Sequence, residues 1–95
     1  MKTKDAYVKK VQAQLDELDA DIKKLKARAD KAGANAQLEY KKQIETLKRK
    51  QQKAGDKLAE LKASSDDAWE DLREGLDAAK TSLSSAIKSA TARFK

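Results

Sequence analysis

The stretch "AGANA", residues 32–36, decides how this chain folds. Upstream of it, Val8, Val11, Leu15, Leu18, Ile22, Leu25, Ala29 and Ala32 keep one strict heptad register, the pattern of an amphipathic helix. Downstream, Ile44, Leu47, Gln51, Ala54, Leu58 and Leu61 keep a register displaced by one residue. Two readings of the slip compete. Gly33 can end one helix and Asn35 can cap the next, giving a turn at 33–35. Alternatively the alanines, the best helix formers, carry one unbroken helix that absorbs the slip by local unwinding.

A second break is signalled more strongly by "KASSDDAWEDL", residues 62–72. Ser64 and Asp67 are both suitable N-caps, and Asp67 with Glu70 forms an approximate capping box. Asp66, Asp67, Glu70 and Asp71 then crowd a first turn whose dipole favours carboxylates. A third register, out of step with the second, begins at Trp69 and runs through Leu72, Leu76, Ala79, Leu83, Ala86 and Ala90. A turn is therefore expected near 63–67.

Charge placement agrees with both folds back. About residue 34, the acidic "LDELDAD" (15–21) comes opposite the basic "KRKQQK" (48–53); about residue 65, the acidic 66–77 segment comes beside Lys53, Lys57 and Lys62. Complementary charge is what antiparallel helix neighbours need, and an antiparallel dimer of longer helices satisfies the first pairing equally well. The chain is thus one all-α domain, 1–95, with helical segments near 3–32, 36–62 and 66–94. It is either a three-helix antiparallel bundle or a hairpin of one long 3–62 helix and a shorter one. That long helix would measure ~90 Å at ~1.5 Å per residue, and a monomer would leave half its seam bare.

Composition narrows the function. Charged residues make up 40% of the chain and aromatics 4%, with no Pro, Cys or His, as in long helices and coiled coils. Fifteen Val, Ile and Leu residues are a thin apolar supply for a lone domain, so self-association is expected. The seam that would carry core or self-association contacts is Val11, Leu15, Leu18, Ile22, Leu25, Ile44, Leu47, Leu58, Leu61, Trp69, Leu72, Leu76 and Leu83. Without His or Cys the commonest bases, nucleophiles and metal ligands are missing, so no enzymatic activity, cofactor or metal is expected. No apolar run follows "MKTKDAY", and none approaches the ~18 residues of a spanning helix, so a cytoplasmic protein is expected.

Two surfaces are weighed against plain helix packing. Lys48, Arg49, Lys50 and Lys53, with Lys41 and Lys42 before them, could contact phosphate, although no aromatics interleave for base stacking. The tail 78–95 sets Leu83, Ile87 and Phe94 against a Ser- and Thr-rich face, as in helices that lie on a bilayer. The basic stretch is read instead as paired with the acidic segments or as a solvated face, and the tail as a continuation of the packed seam through Leu83, Ala86 and Ala90. Trp69 is likewise read as seam rather than as an anchor for a protein partner. Gly55 and Gly75, inside helical pattern, are read as points of close helix approach.

The stretches "YVKKVQAQLDELDADIKKLKARADKA", "YKKQIETLKRK", "KLAELKASSDDAWEDL" and the closing "FK" resemble a bacterial family of small coiled-coil stress-response proteins, found in cyanobacteria and other bacteria. The Asp-Ala-Trp-Glu-Asp-Leu run after an Ala-Ser pair is the most specific part. The resemblance implies long helices and a stress-linked role, with no catalytic or ligand residues to carry over. It tilts the expectation towards the long hairpin, although Gly33 interrupts a stretch that relatives keep rich in Ala and Lys. A looser likeness to exchangeable apolipoprotein helices rests on amphipathicity alone. The function expected is a non-enzymatic, self-associating helical interaction protein. Lipid-surface binding and nonspecific nucleic-acid binding stand behind it.

Overall fold

The computed structural model describes residues 2–93. It contains three helices, α1 (Lys2–Asp30), α2 (Ala34–Ala63) and α3 (Trp69–Arg93). All three pack on one another, and the bundle measures 51 × 18 × 16 Å. A thirty-residue helix is ~45 Å long, so the long axis is a single helix length. The all-α class holds. The chain turns at both breaks, so the three-helix bundle forms and the continuous 3–62 helix does not.

The first turn is made without the caps expected of it. Lys31 and Ala32 donate to the carbonyls of Arg28 and Ala29, each at 3.1 Å, which tightens the last turn of α1. Gly33 then takes φ −67° and ψ 164°, an extended conformation open to any residue, and stands at the N-cap of α2. Its carbonyl accepts the first helical bond, from Gln37 at 2.9 Å. Gly33 is therefore not a left-handed C-cap, and Asn35 lies inside the first turn of α2 rather than capping it. The three residues between the helices, Lys31, Ala32 and Gly33, reverse the chain.

At the second turn the two serines divide the work. Ser64, extended at ψ 160°, closes α2, and both its N–H and its hydroxyl donate to the Leu61 carbonyl. Ser65 supplies the capping oxygen ahead of α3: its Oγ accepts from the Ala68 N–H at 3.2 Å, and its carbonyl accepts from Trp69. The expected caps, Ser64 and Asp67, are thus replaced by Ser65. Lys4 Nζ reaches over from α1 to the carbonyls of Lys62 and Ser64, satisfying acceptors that the end of α2 leaves free.

The core is wholly apolar among the described residues. Val11, Leu15, Ile22 and Leu25 from α1 meet Tyr40, Ile44, Leu47, Ala54, Leu58 and Leu61 from α2. Trp69, Leu76, Ala79, Leu83, Ile87 and Ala90 complete it from α3, and Leu18 and Leu72 lie half-buried at its edge. Every residue read as seam is thus packed within one chain. Leu83 is fully buried and Ile87 is 4% exposed, because the packed face of α3 continues through both. In the closed bundle neither is available to lipid, and Phe94 lies outside the described residues. The glycines do not mark close approach. A side chain at Gly55 would meet nothing within 4 Å, and one at Gly75 only the Lys57 ammonium, at 3.7 Å.

The first turn can be tested with one substitution. Ala34 occupies the first helical position, where Pro is well tolerated, and Gly33 before it already has the extended backbone that Pro requires. Ala34→Pro should leave the melting temperature unchanged or raise it, through a gain of about 0.4–1 kcal/mol. In an unbroken helix the same change would cost ~3 kcal/mol or more, roughly 12 °C or more at ~4–8 °C per kcal/mol. Thermal unfolding followed by circular dichroism distinguishes the two.

Candidate interaction surface

With the apolar residues spent on the core, the helix–helix seams on the outside are held by polar side chains. Gln51 Nε2 of α2 donates to Asp19 Oδ1 of α1 at 2.6 Å, and Lys23 pairs with the same carboxylate at 3.1 Å. The Gln51 hydrogen bond first, then that from Lys23, holds the Asp19 carboxyl below its ordinary range. Lys80 of α3 donates to Gln14 Oε1 of α1 at 2.7 Å, and Arg93 pairs with Glu39 at 3.7 Å across α3 and α2. The acidic segment of α1 does face the basic stretch of α2, through a glutamine rather than a lysine.

The densest cluster joins α1 to the start of α3. The Tyr7 and Trp69 rings lie 5.6 Å apart at a tilt of 39°. The Arg73 guanidinium sits 5.5 Å from the first and 5.8 Å from the second, a cation–π arrangement with both. Tyr7 Oη donates to Asp77 Oδ1 at 2.5 Å, and Arg73 approaches the same carboxylate at 4.0 Å. Burial, then the hydrogen bond to Asp77 and its negative charge, push the Tyr7 phenol well above the ordinary tyrosine range; Arg73 opposes this. Trp69, 4% exposed, belongs to the core. The sequence reading missed Tyr7, although it stands four residues before Val11 and so flanks the seam.

The basic stretch of α2 is divided by the helix. Lys48 faces the α1 side, where it lines a groove with Lys26, Lys41, Asp30 and Glu45. Arg49 is exposed on the outer surface. Lys50 and Lys53 face the α3 side instead, where Lys57 joins them along an open trough. The four residues read as one phosphate contact therefore do not form one patch. Lys53 and Lys57 were expected beside the acidic 66–77 segment, but Lys57, seven residues from Lys50 and four from Lys53 on one helix, joins them against Gly75, Ala78, Ala79 and Ser82 instead.

That trough is asymmetric. Its α2 wall is Lys50, Lys53 and Lys57; its α3 wall is Gly75, Ala78, Ala79 and Ser82, and no carboxylate among the described residues lines it. Lys50 Nζ donates to Ser82 Oγ at 2.8 Å, while among the described residues Lys53 and Lys57 make no hydrogen bond or ion pair. By contrast, the groove holding Lys48 contains two carboxylates among its cations. No group of three or more acidic side chains poised for a metal ion occurs among the described residues.

The Tyr7–Asp77 bond has a pH signature. A folded-state phenol pKa raised above ~10 means that the bond stabilises fully below that pH and is lost as pH rises through the folded value. The phenolate absorbance contributed by Tyr7, isolated by subtracting a Tyr7→Phe variant, should therefore grow only as helicity falls. Ionisation near pH ~10 with helicity intact would show that the bond is not made in solution. Tyr7→Phe should also lower stability at neutral pH by about 1 kcal/mol. The chain matches no family model, no curated protein and no solved structure.

Proposed function

We propose that this chain is a non-enzymatic helical interaction protein that works as a closed three-helix bundle through its charged exterior. The observation that supports it is the division of residues between inside and outside. The large apolar side chains fill one chain's own core, with Leu38 the exposed exception among the described residues, while 40% of the sequence is charged and clothes the surface. A partner would accordingly be held by charge and hydrogen bonds. The stress-related role rests on the resemblance of "ASSDDAWEDL" and its flanking helices to a bacterial stress-response family; the cytoplasmic setting is proposed with it, from a sequence without a spanning apolar stretch. Among the described residues no helix is long and apolar enough to cross a membrane.

Self-association enters this reading only through the exterior. A bundle that closes its own core unfolds at a temperature independent of protein concentration, whereas one completed by a second copy gains stability by mass action. A constant melting temperature over roughly a hundredfold range of concentration, with a single-chain mass of 10.5 kDa in sedimentation, is the expected result. A midpoint that climbs with concentration would place the seam between chains and remove the basis of the proposal. Lipid binding by 78–95 is a separate reading that needs α3 to leave the bundle. Its signature would be flotation with anionic vesicles together with solvent exposure of Trp69.

A further inference from the structure

We propose that the α2–α3 trough is a binding site for the phosphodiester backbone of a nucleic-acid strand, held by Lys50, Lys53 and Lys57 without regard to base sequence. This names a partner for the charged exterior and so rests on the closed-bundle reading above. Three observations carry it. The lysines stand at positions i, i+3 and i+7 of one helix, so they line a single edge over ~10 Å. One strand carries a phosphate at every nucleotide, so a segment running along that edge brings its charges past all three ammonium groups.

The opposite wall consists of Gly75, Ala78, Ala79 and Ser82, which bring neither bulk nor negative charge against a strand lying beside the lysines. The cations are also free to act. Lys53 and Lys57 have no protein partner among the described residues, and Lys50 is held only by a neutral hydroxyl at 2.8 Å, a bond that costs little to exchange for phosphate.

The occupant follows from what the trough lacks. A folded acidic protein normally anchors on large apolar or aromatic side chains. The trough lining has none, and the exposed Leu38 is not part of it. Affinity must therefore come from charge alone. Charge alone is most effective on a polymer dense enough to condense counterions, because bound lysines release them. Contacts confined to phosphate carry no sequence information, so binding is indifferent to sequence.

The test separates placement from net charge, which is +6 for the whole chain. The triple variant Lys50→Gln, Lys53→Gln, Lys57→Gln is compared with Lys26→Gln, Lys41→Gln, Lys48→Gln. The second removes the same charge from the α1–α2 groove. The probe is a fluorescently labelled oligothymidylate, with polyglutamate of matched charge as competitor. For three contacts at ~0.7 per phosphate on a single strand, wild-type affinity should fall ~20-fold between ~50 and ~200 mM salt.

The trough variant should lose at least ~10-fold in affinity and most of that salt slope, and the groove variant little of either. Ala78→Glu, which keeps all three lysines and a good helix former, should weaken binding as well. Equal losses in the two triple variants would reduce the effect to net charge and overturn the site. Competition by polyglutamate as strong as by the oligonucleotide itself would assign the trough to an acidic peptide and overturn the ligand. Failure of the unsubstituted protein to bind the oligonucleotide, with concentration-independent melting intact, would count against the trough alone; concentration-dependent melting would count against the closed bundle beneath it.

Discussion

The bundle depends on two residues that leave the helix. Gly33 and Ser64 are both extended, at ψ 164° and 160°, and each breaks a ladder of backbone bonds that its neighbours would otherwise continue. Ending a helix strands acceptors and donors, so each break must be offset locally. At Ser64 the offset is visible: its own N–H and hydroxyl, the Ser65 cap and the Lys4 ammonium all take up freed groups. At Gly33 the tightened last turn of α1 does part of the same work, and no side chain caps α2. Both breaks are worth making because they fold an apolar stripe onto itself and bury it.

Once the stripe is folded, small residues let it close. Ala54, Ala79 and Ala90 are core positions, and they allow the helices to approach where a row of leucines would hold them apart. The large aromatic Trp69 fills the end of the bundle where α3 begins, with Tyr7 and Arg73 packed on it. Polar bridges then span the outer seams: Gln51 to Asp19, Lys80 to Gln14, Lys50 to Ser82. Among the described residues no buried side-chain polar atom lacks a partner. The thin apolar supply is thus matched by a core only three helices wide, which uses the large apolar side chains of the described residues except Leu38.

Helical periodicity made the core legible in advance. The heptad positions of Val11, Leu15, Ile22, Leu25, Ile44, Leu47, Leu58, Leu61, Trp69, Leu76 and Leu83 are all buried, and the register slips fall where the chain turns. The choice between hairpin and bundle was not legible, because it hangs on the local free energy of a few residues around Gly33. There Ala favours continuing the helix and tertiary burial favours stopping it. The caps were misassigned for a related reason. Ser64, Ser65 and Asp67 can all cap, and only the backbone decides which oxygen meets an N–H. Ile87 shows the reverse error: it lies outside the strict heptad, yet four residues beyond Leu83 it falls on the same buried face.

The candidate site was the least legible, and for a geometric reason. A run such as "KRKQQK" looks like one basic patch when written as a line. Wound at ~3.6 residues per turn, its adjacent members point in different directions. Lys48 goes to a groove where Asp30 and Glu45 temper its charge, and Lys50 and Lys53 go to one lined by Gly, Ala and Ser. The working unit is therefore set by helical spacing and by what the neighbouring helix lacks. Lys57 belongs to it although it lies outside the run, and Lys48 does not although it lies within. The small residues of α3 are as much a part of that unit as the lysines. Had Ala78 been an acidic residue, like Glu74 and Asp77 nearby on the same helix, the trough would have become one more internally paired seam. It would then have had nothing left to offer an anion.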